Sequence, residues 1–244
     1  MSINALSSNS GQQTVYHIGT TEVLLLFSAI GLFIVIKTHQ LDFVLADIIY
    51  DHFQWHYQKD FVTEQLLHRA GRYFVILIYL GLIYKLLSKF IMGNDSTGAY
   101  HLSVLLLTIA LSVIIVAALK RVLDVDCPWD LLRYGGSKHY FPFFNHPLDY
   151  LPSGHCFPAS HASVGFSWLA LFFYFKVSKK PSASKKTAFM ALGSAILLGI
   201  VFGGAQQLRG AHFLSHDVAS LIICLVTAIS VYSLAYQGKK ERLK

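Results

Sequence analysis

The chain has 244 residues, of which 54% are hydrophobic and only 14% are charged. Its mean hydropathy is +0.50, whereas a soluble domain carries roughly 25% charged residues. This composition argues against a water-soluble globule and excludes a disordered chain, a collagen-like fibre and a disulfide scaffold. The net charge of +7 in so apolar a chain favours a membrane surface or an anionic ligand over nucleic acid.

Six apolar segments are long enough to cross the roughly 30 Å hydrocarbon core of a bilayer as helices. They occupy residues 21–37, 73–90, 100–119, 160–177, 187–207 and 213–236. The first segment follows no basic stretch and ends at Lys37, which is unlike a cleaved signal peptide. We therefore predict an all-α fold, a polytopic membrane bundle of six transmembrane helices with short interfacial helices.

The other segments fit one membrane domain over residues 1–244. Residues 1–20 form a polar N-terminal tail and residues 237–244 a basic tail. Residues 40–70 mix apolar, acidic and histidine side chains at helical spacing, which predicts amphipathic interfacial helices. The aromatic-rich segment 121–159 is too long for a simple connection and is expected to be functional.

Basic residues indicate the orientation. Six spans place both termini on one side, together with lysine clusters in residues 176–186 and 239–244. Because clustered basic residues in short loops and tails mark the cytoplasmic side, we expect cytoplasmic termini. Three groups of polar residues then lie together at the opposite face.

The first two groups flank the loop between the third and fourth spans. Lys120 and Arg121 end the third span, and Arg133 follows in the loop. Taken alone, Lys120 and Arg121 are typical basic residues that reach the interface. Ser160 is a candidate N-cap of the fourth span, with His161 in its first turn, where backbone N–H groups and the helix dipole favour an anion.

The third group lies between the fifth and sixth spans and contains Arg209, His212, His216 and Asp217. On a helix, the two histidines and Asp217 lie within about a turn and a half. A carboxylate in a membrane segment is unfavourable unless it is paired, so Asp217 indicates a functional group. The structural alternative is an Arg209–Asp217 ion pair with interfacial histidines.

Together the three groups suit a phosphate ester. Lysine and arginine neutralise phosphoryl oxygens, a His–Asp pair supplies a nucleophile or base, and another histidine supplies a proton. The three cysteines, Cys127, Cys156 and Cys224, are an odd number without CxxC or CxxH spacing. We therefore expect neither a zinc site nor a disulfide framework.

These motifs resemble the type 2 phosphatidic acid phosphatase superfamily of membrane lipid phosphatases. That family carries K-x6-R-P, P-S-G-H and S-R-x5-H-x3-D on a six-helix core, and the resemblance covers a phosphatase core at residues 100–236. In the first motif Lys120 matches, but Cys127 stands where the family has arginine. Arg133, or otherwise Arg121, is expected to replace that arginine. The departures resemble a divergent bacterial branch.

The second motif leaves two candidate acids. His155 lies in a literal P-S-G-H, while His161 lies in the following F-P-x-x-H-A-S and is favoured because it opens a helix. In the third motif, Gly210-Ala211-His212-Phe213 is similar to the family's segment around its nucleophilic histidine. The family's arginine position holds Gln206, and its aspartate position holds His216, with Asp217 one residue later.

The resemblance implies a mechanism without metal or other cofactor. His212 would attack phosphorus to form a phosphohistidine, Asp217 would hold its ring, and His161 would protonate the leaving oxygen. The implied phosphate-binding residues are Lys120, Arg209, Arg133, Arg121 and Ser160. His155 and His216 are further possible participants.

The implied enzyme is a hydrolase or phosphotransferase acting on a phosphate monoester or diphosphate of a membrane lipid. Lipid A, undecaprenyl diphosphate and glycerophospholipids are candidate substrates, the bilayer is the expected partner, and nucleic acid is not. The implied location is a bacterial inner membrane, with the site facing the periplasm. A proton-coupled transporter and a non-catalytic relative that binds anionic lipid remain alternatives.

Overall fold

The computed structural model describes residues 15–93, 95–141, 154–178 and 184–237. These segments are predominantly helical and contain no β-strand, which confirms the all-α prediction for them. The longer helices are α1 (Thr20–Thr38), α2 (Leu41–Phe53), α3 (Phe61–Met92), α4 (Ser96–Val122), α5 (Ser160–Phe166), α6 (Ala170–Val177), α7 (Lys185–Leu208) and α8 (Leu214–Ala235).

Five of the helices in the described segments are long and apolar enough to cross a membrane, namely α1, α3, α4, α7 and α8. The prediction of six such helices is therefore not confirmed. The predicted fourth span, 160–177, is helical throughout but consists of α5, a 3-10 turn at 167–169 and α6. Each piece is too short to count as a spanning helix by itself.

Helix α3 begins much earlier than the predicted second span. Its first ten residues, Phe61–Ala70, have π-helical geometry and continue without a break into the α-helical part. Asp60 caps this start by accepting hydrogen bonds from the N–H groups of Val62 and Thr63. Residues 61–70 therefore belong to the long helix, and the interfacial position of residues 40–70 stays a prediction.

The segment 160–177 runs beside α8 through the bundle. At one end, the Ala159 N–H donates to the His216 carbonyl at 3.2 Å, near the start of α8. Farther along, the Tyr232 hydroxyl donates to the Ala170 carbonyl at 3.2 Å. Residues 159–170 thus run beside α8 from near its first turn to near its last.

Helices α5 and α7 approach closely because both carry glycine at their contact. A Cβ on Gly165 would lie 2.5 Å from the backbone nitrogen of Gly199. A Cβ on Gly199 would lie 2.1 Å from the Phe166 ring. Small residues of this kind let membrane helices pack backbone to backbone, and here they set α5 against the helix that leads to His212.

A disulfide joins Cys127 to Cys156, with their Cα atoms 5.2 Å apart. The expectation of no disulfide was therefore wrong. The two cysteines are separated by 29 positions in sequence and lie on loops that meet only in the folded chain, so their spacing gave no signal. Cys224 is a buried free thiol in α8.

Candidate active site

A cavity of about 570 Å³ lies at the end of the bundle where α4 ends and α5 begins. Its walls come from α3, α4, α5, α7, the loop that carries the disulfide and the turn between α7 and α8. Three cationic side chains line it, Arg72, Lys120 and Arg209, whereas none of the described residues lining it is a carboxylate. Such a charge distribution favours an anionic ligand.

Four histidines also line this cavity: His68, His155, His161 and His212. The structure thus brings together Lys120, Arg209, His161 and His212, which the sequence assigned to one site. It keeps both candidate acids at the cavity, with His161 buried and His155 exposed.

His212 lies in the turn between α7 and α8, which several contacts hold in place. Gly210 has a φ of 73°, a conformation that glycine adopts without steric cost. Its carbonyl accepts a hydrogen bond from the Trp129 N–H at 2.9 Å. The Trp55 ring packs so closely that a Cβ on Gly210 would lie 2.6 Å from it. This packing presents His212 to the cavity.

Burial lowers the pKa of His212 well below its usual value, and the charges of His216 and Lys120 act in the same direction. His212 is only 6% exposed. Its imidazole is therefore neutral at pH 7, the form in which a ring nitrogen is nucleophilic.

Asp217 is buried, and its carboxylate contacts α7. Its Oδ2 accepts a hydrogen bond from the Gln207 side chain at 2.5 Å and packs against Gly203, where a Cβ would lie 2.4 Å away. No hydrogen bond joins the described side chains of His212 and Asp217, and the His212 Nδ1 atom is buried without a partner. A one-residue offset rotates a helical side chain by about 100°, which explains this direction.

His216 is buried behind His212 rather than in the cavity wall. Its ring lies edge-on to that of His212, with centroids 5.8 Å apart, and 5.2 Å from the Phe157 ring. The start of α8 beside it is capped from α2, since Asp42 accepts hydrogen bonds from the Ser215 N–H at 2.8 Å and hydroxyl at 2.6 Å.

The start of α5 differs by one residue from the expected cap. Ala159 occupies the N-cap position, and Ser160 is the first helical residue. Ser160 still lines the cavity. The His161 ring follows it, with Nε2 lying 3.3 Å from the Leu67 carbonyl and the ring edge-on to His68 at 4.5 Å between centroids.

Two of the predicted phosphate-binding residues lie elsewhere. Arg133 donates two hydrogen bonds to Asp47, at 2.8 and 2.6 Å, and stacks over the Phe43 ring. It lines a separate cavity of about 650 Å³. Arg121 is exposed and is not among the residues lining the His212 cavity.

Sequence reasoning missed the contribution of α3. His68 and Arg72 line the cavity, and their four-residue spacing puts them on one face of a helix. That spacing, near the polar end of an apolar helix, could have indicated that α3 contributes to the site. It was overlooked because residues 61–70 were assigned to a separate interfacial helix.

Arg209 links α3 to the turn that carries His212. Its Nη1 lies 2.6 Å from the His68 Nδ1 atom and 3.2 Å from the Gln206 Oε1 atom. Its Nε donates to the Gln58 carbonyl at 3.0 Å. The guanidinium is thus fixed by groups from three parts of the chain.

Comparison with known proteins agrees with this arrangement. No curated protein and no solved structure matches the chain. The model of the PAP2 superfamily matches residues 101–240, more than half of the chain. The match begins within α4 and extends past α8, so α3 with His68 and Arg72 precedes it. Members of this superfamily are phosphatases, and by this match the chain belongs to the PAP2 superfamily.

Proposed function

We propose that this protein is a membrane lipid phosphatase or phosphotransferase that works through a phosphohistidine. The observation that carries the proposal is one cavity that holds three cations, the buried His212 and a second histidine, His161, at the end of an apolar helical bundle. Cationic side chains without a neighbouring carboxylate stabilise the charge of a phosphoryl group.

In the proposed reaction, a ring nitrogen of His212 attacks phosphorus while the bond from phosphorus to the leaving oxygen breaks. His161, in its protonated form, donates a proton to that oxygen, with His155 as the alternative donor. Water then attacks the phosphohistidine while the same histidine, now neutral, accepts the water proton, and the bond between phosphorus and His212 breaks to release phosphate. A lipid phosphate in place of water gives the phosphotransferase reaction.

We assign the phosphoryl oxygens to Arg72, Lys120 and Arg209, with Ser160 at the first turn of α5 beside them. These charges supply the stabilisation that the reaction needs, so the proposal is metal-independent. Arg133 is excluded because its guanidinium is paired with Asp47 and Arg133 lines the other cavity.

Asp217 has a different proposed role from the one that the motif implied. Because it binds Gln207 across the turn between α7 and α8, it holds that turn closed around His212. It is therefore a positioning residue in this proposal, as is His216, which packs against the His212 ring.

A lipid substrate is supported by the surroundings of the cavity. Val113 and Val164 line it beside the polar groups, and α3 exposes Phe74 and Leu77 next to Arg72. A phosphate bound by the cations can therefore leave its hydrocarbon chain in the membrane. Lipid A, undecaprenyl diphosphate and glycerophospholipids meet this description.

The disulfide supports an extracytoplasmic site. Cys127 and Cys156 line the same cavity as His212, and disulfides persist in oxidising compartments. We propose that 160–177 supplies a sixth crossing, which puts both termini in the cytoplasm. In a bacterium, the site then faces the periplasm from the inner membrane.

The test is phosphate release from a panel of lipid phosphates by purified wild type, His212→Ala and His161→Ala, with the exposed His52→Ala as control. We expect both cavity variants to lose at least about a hundredfold in rate, and the control to match wild type. Equal release by wild type and His212→Ala would refute the catalytic assignment. Phosphate binding without release would instead favour a non-catalytic lipid-binding relative.

A further inference from the structure

The contact between Arg209 and His68 fixes the protonation state of the histidine. An arginine side chain has five N–H donors and no acceptor, and it stays protonated. At 2.6 Å from Arg209 Nη1, the His68 Nδ1 atom must therefore be the acceptor. The ring is then neutral and carries its proton on Nε2.

The second partner of the same Arg209 nitrogen follows the same logic. Gln206 Oε1 lies 3.2 Å from Arg209 Nη1, and an amide accepts only through its oxygen. Gln206 is 3% exposed and Arg209 8% exposed, so both groups are held within the protein. His68 supplies the shorter of the two contacts, and it does so from α3.

We propose that His68 is a positioning residue that holds the Arg209 guanidinium in place to bind the phosphoryl group. The inference rests on the proposed phosphatase function. It assigns α3, which lies outside the family match, a part in phosphate recognition. Arg209 is three residues from the family's arginine position, which Gln206 occupies. The contact with His68 holds this shifted arginine where its guanidinium can bind the phosphoryl group.

Two substitutions at His68 distinguish the contributions of its two ring nitrogens. In His68→Asn, the amide oxygen can occupy nearly the position of Nδ1 and accept from Arg209. In His68→Gln, the longer side chain places its amide nearer the position of Nε2. His68→Phe keeps a ring of similar size and removes both polar atoms.

We expect His68→Phe to raise both KM and the inhibition constant of inorganic phosphate about tenfold, the loss of roughly one hydrogen bond to a charged group. His68→Asn should restore most of the affinity, and His68→Gln should not. The exposed His52→Gln, in α2, serves as control. Equal affinities for His68→Asn and His68→Gln, or wild-type affinity for His68→Phe, would overturn the proposal.

A double-mutant cycle tests whether His68 acts through Arg209. In an Arg209→Gln background, His68→Phe should cause little further loss of phosphate affinity, because the group that it positions has gone. Additive losses would show that His68 acts independently and would overturn the proposal.

The tautomer provides a readout that is independent of activity. Nitrogen-15 NMR of histidine-labelled protein, with the His68 signal assigned by its loss in His68→Asn, should show an unprotonated Nδ1 and a protonated Nε2. A protonated Nδ1 would overturn the proposed contact. If wild type neither binds inorganic phosphate nor hydrolyses a lipid phosphate, the proposed function fails. If wild type is active but the His68 variants do not show the expected order of phosphate affinities, only the role of His68 fails.

Discussion

Arg72 is the cavity cation that the family match does not include. It is half-buried and shares the cavity wall with Lys120 and Arg209. Because a hydrogen bond to a charged group contributes about 1.5–3 kcal/mol, we expect Arg72→Ala to raise KM for a lipid phosphate at least tenfold. Steady-state kinetics in detergent micelles would measure the change.

Arg69 provides the matched control for this substitution. It lies on the same helix, but its guanidinium is exposed and paired with Glu64 at 2.9 Å. Exposed pairs of this kind contribute little, so Arg69→Ala should leave KM near the wild-type value. Comparable increases in the two variants would mean that Arg72 acts only through the general positive field of α3.

Individual residues show which parts of the site motif spacing can predict. Lys120, His161 and His212 were expected in one site, and the structure places all three at one cavity, because α4 ends, α5 begins and the turn between α7 and α8 lies at the same end of the bundle. Arg133 was expected there too. Its direction is decided by Asp47, 86 positions away in sequence, and spacing within one loop contains no information about that partner.

At the scale of elements, the start of α8 depends on a residue of α2. Asp42 accepts hydrogen bonds from the buried Ser215 N–H and hydroxyl, and a negative charge at a helix N-terminus is favourable. Asp42→Ala leaves these donors without a partner, which we expect to cost about 1–3 kcal/mol. The thermal unfolding midpoint should fall, and activity should fall with it because His212 adjoins this helix start.

Asp51→Ala is the control for Asp42→Ala, since Asp51 is an exposed carboxylate on the same helix. Asp42→Asn should be intermediate, because one amide oxygen can replace only part of the cap. An unfolding midpoint in Asp42→Ala equal to that of Asp51→Ala would show that α8 does not need this contact.

At the scale of the whole molecule, the disulfide connects the loop after α4 to the loop that leads into α5. It therefore ties the segment next to Lys120 to the one that carries His155 and His161. We expect a membrane-impermeant reductant to lower activity in intact cells, and an impermeant maleimide then to label Cys127 and Cys156. A Cys224→Ser background removes the remaining thiol from the measurement.

Labelling that requires permeabilised cells would contradict the proposed extracytoplasmic orientation. Unchanged activity after complete reduction would instead show that the cavity keeps its shape without the cross-link. Cys224→Ser alone should match wild type, since Cys224 is buried in α8 outside the cavity wall.

The sequence by itself determined the all-α membrane class, the PAP2 family and the face on which the polar groups meet. These features follow from local hydropathy and from spacing along single helices. The tertiary structure alone decided that α3 contributes His68 and Arg72 to the cavity, that Asp217 accepts a hydrogen bond from Gln207, and that Cys127 pairs with Cys156. Each of these depends on which segments become neighbours after folding, and contacts between distant segments leave no regular period in the sequence.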